Sequence, residues 1–105
     1  MRLTPAAAFE ALWRELGGPD LVAEYRFAPP RRYRADYAHL GSRTLVEVEG
    51  GTWVRGRHSR PQGYASDCQK YNLATRLGWR VFRLTTDMVT PEHIEPIIES
   101  IRETA

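Results

Sequence analysis

The sequence predicts a single α/β domain: a mixed β-sheet flanked by helices, in the order α-β-β-β-α-β-α. Three observations carry this. Apolar residues recur at spacings of three and four near Phe9–Leu16, Ala74–Leu77 and Ile94–Ile101, which is helical periodicity. Polar and apolar residues alternate in four short stretches between them, which is strand periodicity. One helical stretch separates the third strand from the fourth, as a crossover between neighbouring strands requires. A chain of 105 residues is sized for one domain over residues 1–105 with a modest core.

The first helix runs from Pro5 to Leu16. Thr4 is its N-cap, Pro5 occupies the first helical position, and Gly17-Gly18 stop it. Phe9, Leu12, Trp13 and Leu16 form its apolar stripe. Glu24 to Ala28 alternates and reads as a short strand ended by Pro29-Pro30. Tyr33–Ala38 and Thr44–Glu49 read as a hairpin around the turn His39-Leu40-Gly41-Ser42. Residues 50–62 hold three glycines, Pro61, three arginines and His58, a loop too polar for a core. The second helix spans about Gly63 to Leu77, stopped by Gly78, and Trp79–Leu84 is the fourth strand. Ile94, Ile97, Ile98 and Ile101 mark the last helix between Pro91 and Thr104. Pro96 inside that pattern predicts a regular helix only from near Glu95.

Composition narrows the function classes. No apolar run reaches the roughly 20 residues that span a bilayer, and the first residues lack the apolar stretch of a signal peptide. A single cysteine, Cys68, and three scattered histidines give neither a disulfide nor a zinc framework. Cys68 reads as a small packing residue, and His39 and His93 as surface residues. The expectation is a cytoplasmic protein with no membrane contact and no small-molecule cofactor. The net charge of +2 hides its distribution: residues 26–60 carry +5 and 61–83 carry +3, between ends of −2 and −4. A basic middle between acidic ends points to one surface that meets a polyanion. Fourteen of the fifteen cations are arginine, and Lys70 is the single lysine.

The candidate chemistry lies in that middle. Glu47 and Glu49 stand two apart on a strand and share a face, while Val46 and Val48 take the other. Asp36, on the preceding strand, reaches the same neighbourhood across the hairpin. Oxygen-only carboxylate clusters suit Mg²⁺ or Mn²⁺; alternatively all three face solvent and pair with nearby arginines. On the second helix, the stripe ending in Ala74 and Leu77 leads back through Tyr71, Lys70 and Asp67. Charges on an inward face need partners or a site, although an i,i+3 surface pair is the plainer alternative. Trp53, Arg55, Arg57, His58 and Arg60, interleaved with glycine, have the composition of a nucleic-acid-contacting loop: arginine forks for phosphates and an indole to stack on a base. Trp53 could equally close the core, and His58 either relays a proton or is solvated. Glu10, on the margin of the first helix's stripe, hydrogen-bonds a site water or faces solvent.

Asp36, then Glu47-Val48-Glu49-Gly50-Gly51, His58, Asp67, Lys70 and Leu77-Gly78-Trp79-Arg80-Val81-Phe82-Arg83, resembles the PD-(D/E)XK nuclease superfamily. The likeness is nearest to small phage and bacterial endonucleases related to very short patch repair endonucleases. It covers about residues 9–85 and implies a restriction-endonuclease-like core that hydrolyses DNA phosphodiesters with a divalent cation. By that resemblance Asp36 and Glu47 are metal ligands, with Glu49 on the same strand or Asp67 from the helix as alternatives for a further one. Glu49 stands where the superfamily has its lysine, and Lys70 from the following helix is the candidate replacement. Arg55, Arg57 and Arg60 would hold the flanking backbone. Two alternatives stay open: a four-way-junction resolvase acting as a homodimer rather than a monomeric nicking enzyme, and a non-catalytic nucleic-acid-binding module on a degenerate nuclease fold.

Overall fold

The protein is described by a computed structural model covering residues 3–49 and 61–104. The element order is α1 (Pro5–Glu15), β1 (Val22–Arg26), β2 (Arg34–His39), β3 (Thr44–Glu49), α2 (Pro61–Arg76), β4 (Arg80–Thr85) and α3 (Pro91–Thr104), with a single 3₁₀ turn at Thr86–Met88. The four strands lie in sequence order in one mixed sheet. β1–β2 and β2–β3 are antiparallel and β3–β4 is parallel, so α2 is the crossover that the parallel pair needs.

Alternation along the strands divides the core into two layers. On one face Phe9 and Trp13 of α1 and Ile94, Ile97, Ile98 and Ile101 of α3 pack against Tyr37, Val46 and Leu84. On the other, Ala74 of α2 joins Phe27, Ala35, Ala38, Leu45 and Trp79. The helix ends follow the sequence signals. Thr4 caps α1 by accepting from the Ala7 N–H at 3.1 Å. After α2, Gly78 (φ +88°) allows the Trp79 N–H to reach the Ala74 carbonyl and its own N–H to reach Thr75, closing a Schellman motif. Gly18 is required by contact: a Cβ there would stand 2.4 Å from the Trp13 ring, whose Nε1 donates to the Pro19 carbonyl.

Several boundaries differ from the sequence expectation. β1 begins and ends two residues earlier than Glu24–Ala28, because its extent is set by pairing from Val22↔Ala38 to Arg26↔Arg34; Phe27 and Ala28 leave the strand and fill the core. α2 starts at Pro61, using proline at the first helical position. α3 is regular from Pro91 and keeps Pro96 inside. The lost bond to the Glu92 carbonyl falls on the exposed face, where both Glu92 and Pro96 are open to solvent. The four isoleucines on the opposite face are 0–2% exposed, and each contributes about 1.5–3 kcal/mol by burial. Leu77, expected to face inward, lies past the end of α2 and is exposed. Cys68 is exposed and not a packing residue, because α2 turns Lys70, Tyr71 and Ala74 toward the sheet. His39 is half-buried rather than on the surface, its Nδ1 accepting from the Ser42 N–H across the hairpin turn. No helix among the described residues is long and apolar enough to cross a membrane.

Candidate active site

The β2–β3 ladder is regular from His39↔Thr44 to Tyr37↔Val46. One step further, Asp36 faces Glu47, and side chains replace the ladder. The Asp36 N–H donates to Glu47 Oε2 at 2.8 Å, and the Val48 N–H donates to Asp36 Oδ2 at 2.8 Å. Each carboxylate thus satisfies a backbone donor of the opposite strand. Both lie on the α2 face, at the end of the sheet where β3 leads into residue 50.

Glu47 is the centre of this cluster and is only 8% exposed. Its Oε1 accepts from Lys70 Nζ at 3.0 Å and from Tyr71 Oη at 2.8 Å, while Oε2 is held by the Asp36 backbone. A buried carboxylate needs such partners, and here three donors fix its plane. Lys70 is itself largely covered, with an 18% exposed side chain. Lys70 therefore has a definite partner in Glu47, in place of an i,i+3 surface pair with Asp67. Burial pushes the Asp36 carboxyl above its ordinary range. The Val48 N–H opposes that shift, and the neighbouring charge of Glu47 adds to it. Burial and Glu47 together raise the Tyr71 phenol, which stays a neutral donor.

Glu49, on the same face, is bound to Arg83 of β4, whose Nε donates to Oε2 at 2.8 Å. Arg83 is the register partner of Glu47, and its guanidinium carbon lies 4.3 Å from the centre of the Tyr71 ring. The cluster is thus a pair of facing carboxylates, Asp36 and Glu47, flanked by Lys70 and Tyr71 and bordered by the Glu49–Arg83 ion pair. Among the described residues no three His, Cys, Asp or Glu side chains form a group of metal-holding geometry.

The remaining sequence candidates fall elsewhere. Asp67 is half-buried on α2, within electrostatic reach of Arg83. Glu10 lies across the sheet from the cluster. It accepts a 2.6 Å hydrogen bond from Tyr37 Oη at a cavity of about 470 Å³ lined by Phe9, Trp13 and Tyr37. Trp53, Arg55, Arg57, His58 and Arg60 lie outside the described residues. Sequence reasoning gave no role to Tyr71 or Arg83. The helical spacing that places Tyr71 on the stripe with Ala74, and the alternation that puts Arg83 on the Val81 face, were the available signals. Glu24 was missed as well: it has φ +54° inside β1 and adds to the negative charge felt by Asp36. That backbone region is costly for a residue with a Cβ.

No family model and no curated protein sequence matches the chain. Among solved structures it is similar to one described as the Homing Endonuclease I-Bth0305I Catalytic Domain. The TM-score is 0.65 at 17% identity, over 98% of this chain and 94% of that one. At this identity the likeness establishes a shared fold, a four-stranded mixed sheet between helices, over nearly the whole of both chains.

Proposed function

We propose that this chain is an endonuclease that hydrolyses DNA phosphodiester bonds with a divalent cation, Mg²⁺ or Mn²⁺. The observation that carries the reading is the meeting of Asp36, Glu47 and Lys70. Two carboxylates from facing strands and the single lysine of the chain come together on a fold shared with a homing endonuclease catalytic domain.

The donor chemistry fits such a cation. Both groups offer only carboxylate oxygens, which hard divalent ions prefer. Asp36 Oδ1 accepts no hydrogen bond from any described residue, and positive charge beside Asp36 would offset both its burial and its repulsion from Glu47. Asp36 and Glu47 would hold the ion, with Glu49 the third carboxylate on that face. When bound, it would supply polarisation of a phosphoryl oxygen and acidification of a coordinated water.

The protein groups have distinct tasks. The Lys70 ammonium would orient the attacking water or take up charge that develops on the phosphate. Tyr71 Oη and the Asp36 N–H fix the two oxygens of Glu47, so the carboxylate needs no reorganisation when substrate arrives. Trp53, Arg55, Arg57 and Arg60 would hold the flanking nucleic acid, and His58 would relay a proton or orient water. The test is incubation of supercoiled plasmid, and of branched and mismatched duplexes, with the protein in Mg²⁺, Mn²⁺ or EDTA. Nicked or linear product in either metal and none in EDTA is the expected result. Binding without cleavage in all three would leave a nucleic-acid-binding module instead.

A further inference from the structure

Arg83 is the register partner of Glu47 in the parallel β3–β4 pair, so the two side chains leave the sheet on the same face. Its guanidinium is constrained twice. Nε donates to Glu49 Oε2 at 2.8 Å, and the plane lies over the Tyr71 ring at 4.3 Å. Glu49 is itself well covered, with a 14% exposed side chain, whereas the Arg83 side chain is 41% exposed. The ion pair therefore anchors the inner edge of the guanidinium. The N–H groups on Nη1 and Nη2 donate to no described residue.

A planar donor fork with one edge and one face immobilised loses little freedom when it binds an oxyanion, and its geometry matches paired phosphate oxygens. The two groups that immobilise it belong to the cluster itself. Tyr71 holds Glu47, and Glu49 shares the face of Glu47. The Arg83 side chain stays 41% exposed although Glu49 and Tyr71 both hold it, which leaves it accessible beside three carboxylates. A polyanion approaching Asp36, Glu47 and Glu49 needs cationic donors next to them.

We infer that Arg83 is a phosphate-binding residue of the site, held by Glu49 and Tyr71 with its terminal nitrogens presented to a nucleic-acid phosphate beside Glu47. The inference rests on the nuclease reading above, and its test is independent of cleavage. Affinity for a fluorescently labelled duplex is measured by anisotropy in EDTA over a series of salt concentrations, for the wild type, Arg83→Gln and Arg83→Lys. Far-ultraviolet circular dichroism and thermal melting show that each variant is folded. One phosphate contact contributes about 0.9 to the slope of log affinity against log salt. Arg83→Gln should lower that slope by about one. Its affinity deficit against wild type should then be about fourfold larger near 50 mM than near 200 mM salt. Arg83→Lys should recover the slope, because it keeps the charge, but only part of the affinity, because it loses the fork. A folded Arg83→Gln with the wild-type slope would overturn the inference and leave the nuclease reading standing. A wild-type chain that binds no duplex even at low salt would overturn both.

Discussion

The two faces of the sheet are built from the same strands, yet they solve opposite problems. The face under α1 and α3 is mainly apolar: Phe9, Trp13, Tyr37, Val46, Leu84 and four isoleucines meet there, and its polar tips are paired, Tyr37 Oη with Glu10, Trp13 Nε1 with the Pro19 carbonyl and Thr44 Oγ1 with Arg80. The face under α2 is apolar only toward Ala38, Leu45, Ala74 and Trp79. Toward the C-terminal end of β3 it turns into a charged cluster of Asp36, Glu47, Glu49, Lys70 and Arg83. One side stabilises by area removed from water, while the other spends buried charge in a confined place, which stability alone does not favour. The position of that charge, where the β2–β3 ladder gives out, is what makes it the candidate site.

The contrast predicts that substitutions on the two faces separate into loss of fold and loss of activity. Ile97→Ala, in the apolar layer, should cost about 2–5 kcal/mol of unfolding free energy, read from a chemical denaturation curve. Its folded fraction should keep full activity per molecule. On the other face, Lys70→Met should reduce cleavage about 10²–10³-fold, the usual cost of removing one charge-stabilising donor. The same variant should bind Mn²⁺ more tightly in an isothermal titration, because the ammonium that competes for Glu47 Oε1 is gone. Weaker Mn²⁺ binding would mean that Lys70 supports the cation rather than competing with it. Tyr71→Phe is the mildest: it removes one of three donors to Glu47 and keeps the ring under Arg83. A loss of about 1–3 kcal/mol in stability is expected, with a smaller loss of cleavage rate than for Lys70→Met.

Most of the fold was legible because it follows from short-range rules. Thr4-Pro5, Gly17-Gly18 and Gly78 delimit helices by capping chemistry that a sequence displays directly. Isoleucines at helical spacing and alternating strands likewise announce which side is buried. Illegible were features set by partners distant in sequence: where β1 stops depends on β2, and whether Pro96 breaks α3 depends on isoleucine packing against the sheet. The same division holds for the site. Asp36, Glu47 and Lys70 could be singled out by residue type, and alternation placed Glu47 and Glu49 on one face. That Glu49 would turn to Arg83, and that Tyr71 would complete the shell of Glu47, depends on the β3–β4 register and the rotation of α2, which no local pattern encodes.

In the proposed mechanism the facing pair Asp36 and Glu47 performs cation-dependent hydrolysis. A time course of supercoiled-plasmid nicking in Mg²⁺, for the wild type beside Asp36→Asn and Glu47→Gln, tests it most directly, with circular dichroism confirming that each variant is folded. The wild type should nick the plasmid, and neither folded variant should do so above background. Undiminished nicking by a folded Asp36→Asn or Glu47→Gln would contradict that mechanism.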